Sequence, residues 1–169
     1  MAAKSISRIF VVCLLANLCS VIAGNKSGFR NVPASSEKCP HLWTQHEDNC
    51  YMMYVIPATR EIARLECEET QGALLVNILT PSEREFVLDY WDQISPFTEV
   101  IWLGLKKDSE NTDDFFWDYG IELDFTDWIN DEPDDNELED CVVLVKDLGW
   151  KVHHCHNTEY PFICIKSRV

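Results

Sequence analysis

The sequence predicts an α+β domain in which two helices come first and a succession of short strands follows. Residues 57–71 carry Ile62, Leu65 and Cys67 on a helical period and close on Gly72, a residue that ends helices. Thr80-Pro81-Ser82-Glu83 is a capping box with proline at the first helical position, and Phe86, Val87, Tyr90, Trp91 and Ile94 extend it as an apolar stripe. An aromatic, β-prone run over 49–55 predicts a strand before the first helix. Beyond the second helix the pattern changes to strand-like runs over 100–105, 115–117, 141–145, 149–152 and 162–165, separated by a long acidic polar region. No internal repeat or low-complexity tract is present.

The chain's organisation follows from its first 38 residues. Residues 1–23 have a basic start (Lys4, Arg8), an apolar run over 9–18 and a small-residue exit at Val21-Ile22-Ala23, the pattern of a secretory signal peptide. That run is too short to cross a bilayer, so no membrane span is expected. Residues 24–38 are polar, hold Pro33, Ser35 and Ser36, and read as a flexible spacer. The spacer contains the acceptor sequon Asn25-Lys26-Ser27. Residues 39–169 then suit one domain large enough to bury a core.

Of eight cysteines, Cys13 and Cys19 leave with the signal. Cys39, Cys50, Cys67, Cys141, Cys155 and Cys164 remain, an even set that reads as a disulfide framework in a secreted, extracellular chain. Their spacing leaves all fifteen pairings open. No CxxC occurs, which argues against zinc held by cysteines.

The charge is strongly acidic. Without the signal the 14 Lys and Arg fall by two to 12, against 29 Asp and Glu, a formal charge of −17. Nucleic acid, which is met by basic surfaces, is excluded as a partner. No basic residue stands between Lys107 and Lys146, while 15 acids lie from Asp108 to Asp140. Such a run is either a solvated face or a set of carboxylates gathered around something positive.

An ordered series of motifs carries a family resemblance across residues 39–164. It comprises Trp43, Cys50-Tyr51, Cys67, the WLGL box Trp102-Leu103-Gly104-Leu105, Phe115 and Trp117 before Gly120, Trp128, the turn Glu132-Pro133-Asp134, Cys141-Val142-Val143-Leu144, and Trp150 before Cys155 and Cys164. The chain resembles the long form of the C-type lectin-like domain. The resemblance implies two helices packed on small antiparallel sheets, a long irregular loop region and three disulfides, Cys67–Cys164, Cys141–Cys155 and Cys39–Cys50, the last closing an N-terminal hairpin. Trp102, Leu103, Leu105 and Trp117 are apolar and evenly spread, so they are expected in the core and establish fold rather than activity.

Sugar-binding members of this family hold one calcium with carboxylates or amides flanking a cis proline, a glutamate shortly before a cysteine, and an Asn-Asp pair after a tryptophan. By position these fall on Glu132 and Asp134 around Pro133, on Glu139 before Cys141, and on Lys151 and Val152 after Trp150. The carboxylates are kept and the Asn-Asp pair is not. Glu132, Asp134, Glu139 and Asp140 are therefore the candidate Ca²⁺ ligands, and Glu132, Asp134, Glu139 and Lys151 the candidate carbohydrate contacts. Calcium takes six to eight oxygens, and Lys151 brings a cation where an oxygen would stand. An ammonium within about 4 Å of Glu132 or Glu139 would attract it by roughly 4 kcal/mol at an effective dielectric near 20. Lys151 is thus expected to stand in for calcium. The alternative has Lys151 in solvent and a weak ion held by Glu132, Asp134, Glu139, Asp135 and water. With acids on both sides of Pro133, neither a mannose-type nor a galactose-type preference follows.

His153, His154 and His156 surround Cys155. On a strand, neighbouring side chains face opposite ways, so His153 and His154 are not expected to share an ion. No nucleophile lies paired with a base, which argues against an enzyme. Two functions remain. One is a secreted carbohydrate-recognition protein, recognising surface glycans in innate defence. The other is a calcium-independent module that binds a protein, or a cationic or mineral surface, through residues 108–140.

Overall fold

The computed structural model describes residues 38–108, 114–134 and 140–168, all within the compact unit Ser35–Val169. The expected signal peptide, the Asn25 sequon, Asp135 and Glu139 lie outside the described residues. Strands β1 (Thr44–His46) and β2 (Asn49–Ala58) form a hairpin, followed by α1 (Arg60–Glu69), the short β3 (Leu74–Leu75) and α2 (Pro81–Ile94). Next come β4 (Val100–Lys107), β5 (Phe115–Trp117), β6 (Cys141–Val145), β7 (Gly149–His153) and β8 (Tyr160–Ser167).

Helix α1 starts later than its periodicity predicted. Pro57 and Ala58 stay in β2, and Thr59 caps the helix, its hydroxyl accepting from the Ile62 N–H at 3.4 Å. Its buried face also differs from the expected stripe. Arg60, Ala63 and Cys67 face the core, while Ile62 and Leu65 are 49% and 38% exposed. The Cys67–Cys164 disulfide fixes the helix's rotation, and the small Ala63 lets it approach the sheet closely. Gly72 closes the helix as expected, with φ +67 and its N–H on the Glu68 carbonyl at 3.0 Å.

Helix α2 follows its signals more closely. The Thr80 hydroxyl accepts from the Glu83 N–H at 3.1 Å. Glu83 reaches one residue further back than a capping box requires, accepting from Leu79 N at 2.8 Å. Val87, Tyr90 and Trp91 are buried, whereas Ile94 is largely exposed.

The strands join into one eight-stranded sheet in the order β1-β2-β8-β4-β6-β7, with β3 on β8 and β5 on β4. The small antiparallel sheets expected are linked by a parallel pairing of β4 with β8 at Trp102↔Phe162. Trp102, Leu103, Leu105 and Trp117 are fully buried, as their apolar spacing predicted. Gly104 is required by proximity, because a β-carbon there would lie 2.7 Å from the Leu75 carbonyl oxygen. The disulfides are Cys39–Cys50, Cys67–Cys164 and Cys141–Cys155, the pairings the resemblance implied.

Part of the acidic run is consumed inside the fold. Arg60 from α1 meets Asp118 at 2.7 Å, with both side chains more than nine-tenths buried. Arg84 from α2 donates through Nε to Asp127 Oδ2. These carboxylates are structural and belong to no solvated face.

Candidate functional site

Strand β7 sets one wall of the site. Its register with β6 pairs Val143 with Lys151 and Val142 with Val152, and the alternation of a strand sends Trp150 and Val152 into the core while Lys151 points outward. A loop strand then lies along β7. Trp150 donates to the Asp127 carbonyl at 2.7 Å and accepts from Ile129 N at 3.0 Å. Gly149 makes this approach possible, since a β-carbon there would lie 2.3 Å from the Asp127 oxygen.

The loop next turns back on itself. Glu132 N–H bonds the Ile129 carbonyl at 3.0 Å, Asp131 takes φ +67, and the Glu132–Pro133 peptide is cis, the isomer the resemblance implied. The turn delivers the Glu132 side chain to β7. Glu132 Oε1 accepts from Lys151 Nζ at 2.7 Å, and Oε2 accepts from the backbone N–H of Val152 at 3.0 Å. The Glu132 side chain is only 6% exposed, against 46% for Lys151. A buried carboxylate is thus satisfied by one cation and one amide, the arrangement that makes its burial tolerable.

The other candidates are distributed unevenly. Asp134 is half-buried beyond Pro133. Asp140 is exposed and contributes its carbonyl, which accepts from Lys107 N at 2.7 Å. Lys151 is not directed into solvent alone, because its ammonium reaches Glu132. Among the described residues the donor set does not fit calcium: both Glu132 oxygens are engaged, an ammonium occupies one side, and Val152 supplies no side-chain oxygen.

The histidines behave differently from a simple alternation. Strand β7 ends at His153, so the opposite-face rule stops there, and the His153 and His154 rings lie 6.1 Å apart. His153 Nε2 is bonded to the Tyr160 hydroxyl at 3.2 Å, and its ring stands edge-on to Trp102. His153 is therefore a packed structural residue. His156 is exposed.

Sequence reasoning missed two contributors. The Val152 N–H acts through the backbone, which no side-chain pattern reports. Arg84 and Asp127 carried one faint signal: Arg84 is the sole basic residue in α2 and sits near the helix end that disfavours a cation.

A family pattern described as "Lectin C-type domain" matches residues 56–166. The chain belongs to the C-type lectin domain family. It is 32% identical over 147 residues to an alpha-N-acetylgalactosamine-specific lectin of Patiria pectinifera, covering 80% of this chain and 86% of that one. It is 29% identical over 140 residues to echinoidin of Heliocidaris crassispina, covering 75% of this chain and 95% of the other. Among solved structures, the C-type lectin CEL-I from Cucumaria echinata aligns with a TM-score of 0.70 at 26% identity, over 76% of this chain and 96% of its own. This is a family of carbohydrate-binding, non-enzymatic domains. Among the described residues, no helix is long and apolar enough to cross a membrane.

Proposed function

We propose that this C-type lectin domain protein is a secreted, extracellular carbohydrate-recognition protein that binds surface glycans without calcium, in the setting of innate recognition. The contact of Lys151 Nζ with Glu132 Oε1 at 2.7 Å carries the reading. The Lys151 ammonium is half exposed beside the buried Glu132 carboxylate, so it presents a charged hydrogen-bond donor to a sugar hydroxyl. Lys151 occupies the position of a lost calcium ligand and supplies the positive charge beside Glu132, with the half-buried Asp134 just beyond Pro133. Secretion is supported by the leader-like residues 1–23 and by three disulfides, which persist in oxidising compartments.

The second class, a module for a protein or for a cationic or mineral surface, draws less support. Asp118, Asp127 and Glu132 from the acidic run already face Arg60, Arg84 and Lys151. A glycan array probed with and without a chelator separates the readings. The array includes terminal α-N-acetylgalactosamine, the sugar in the name of the Patiria pectinifera relative. Binding that survives chelation is expected. Binding abolished by chelation would defeat the role given to Lys151, and no binding in either state would favour the second class.

A further inference from the structure

The geometry points to Arg84 as a positioning residue for the Glu132–Lys151 pocket, acting through Asp127; this rests on the pocket reading above for its functional meaning. Arg84 lies in the first turns of α2, next to Glu83 and close to the positive end of the helix, where a cation is disfavoured. A residue that breaks a local rule signals a compensating contact elsewhere. That contact is the Arg84 Nε bond to Asp127 Oδ2, between side chains about three-quarters buried.

Asp127 is the point at which the pocket loop meets β7. Its carbonyl accepts from Trp150 N at 2.7 Å, Trp150 accepts from Ile129 N at 3.0 Å, and Ile129 accepts from Glu132 N at 3.0 Å. Glu132 then closes the circuit on Lys151 and Val152. Each of these links between Asp127 and Glu132 is a backbone hydrogen bond, with the Trp128 ring packed edge-on to Trp150 beside them, whereas Asp127 is tied to α2 by an ion pair. The backbone contact at Gly149 is so close that a β-carbon would lie 2.3 Å from the Asp127 oxygen, so a small drift of Asp127 is felt directly by β7. Arg84 therefore fixes the height of the loop base over β7, and with it the reach of the Glu132 carboxylate to Val152 N–H.

Hydrogen exchange of the Val152 amide reads that reach without any ligand. Val76 N–H, bonded to the Ile163 carbonyl at 2.8 Å, serves as the reference within the core. Arg84→Met keeps the aliphatic stem and removes the guanidinium. We expect Val152 to exchange at least about tenfold faster in this variant, the size of one lost charge-assisted hydrogen bond, with Val76 unchanged and with protection at Val152 recovered in Arg84→Lys. Equal acceleration at Val76 would mean a general stabilising role and would overturn the inference, as would an unchanged Val152 rate. Selective acceleration in a protein that binds no glycan would sustain the positioning role and overturn the glycan reading alone.

Discussion

Glu132 is gripped by two consecutive residues of β7, with Lys151 Nζ 2.7 Å from one carboxylate oxygen and Val152 N 3.0 Å from the other. The two positions that the resemblance matches to the family's Asn-Asp pair are therefore the two that restrain Glu132. One supplies charge and the other supplies a backbone donor, so the carboxylate is satisfied, and on the proposed reading the ammonium keeps calcium from it.

Lys151→Asn tests this directly while leaving the buried Val152 in place. It removes the ammonium and returns an amide oxygen. Calorimetry should show no calcium heat for the natural protein and a Kd of about 10⁻⁴ to 10⁻³ M for the variant, the range of weak extracellular sites. Adding Val152→Asp should tighten binding further, with circular dichroism to verify that the fold survives a carboxylate at a core position. A flat titration for both variants would mean that Lys151 is not what displaces the ion.

The buried pair Arg60–Asp118 sets up a different test. Its side chains are 6% and 7% exposed, and Arg60 Nε and Asp118 Oδ2 have no hydrogen-bond partner among the described residues. Arg60→Met leaves Asp118 as an uncompensated buried charge and should cost about 3–5 kcal/mol in urea unfolding. Arg60→Met with Asp118→Leu should recover most of that loss, because an incompletely satisfied ion pair gains little over an apolar contact of similar volume. A double variant as unstable as the single one would show that the pair contributes more than its own neutralisation.

Legibility in the sequence followed the range of the interactions. Helix α2 could be read because Thr80, Pro81 and Glu83 act within one turn, and the core strands because Trp102, Leu103 and Leu105 form a compact apolar run. The face of α1 could not be read, since Ile62 and Leu65 are the more hydrophobic residues yet the disulfide at Cys67 sets the rotation. In the site, the side chains at 132 and 151 were identifiable by position. The hydrogen bond from Val152 N and the tie from Arg84 to Asp127 were not, because the first is backbone and the second spans 43 residues.

Gly104→Ala probes the close approach of β4 to the chain just after α1. The added β-carbon would meet the Leu75 carbonyl oxygen at 2.7 Å, a backbone atom that has no side-chain freedom with which to yield. A loss of about 1–3 kcal/mol is expected from overpacking. The check is the urea midpoint, with an unchanged slope showing that the unfolding transition is the same. A neutral result would mean that β3 can move away from β4 at no cost.

Alkaline unfolding should run through Tyr51. Burial pushes its phenol well above the ordinary range, and the Glu83 carboxylate, whose Oε1 accepts from the hydroxyl at 3.5 Å, raises it further. Burial raises Tyr90 in the same direction. A group whose pKa is higher in the folded state than in the unfolded chain contributes stability that is complete below the unfolded value and is lost as pH rises through the folded one. The urea midpoint should therefore hold up to about pH 10, the ordinary tyrosine value, and fall above it. Tyr51→Phe removes the ionisable group while keeping the ring, so its midpoint should decline less steeply between about pH 10 and pH 12. If the natural protein and the variant lose stability in parallel over that interval, the alkaline transition belongs to other groups.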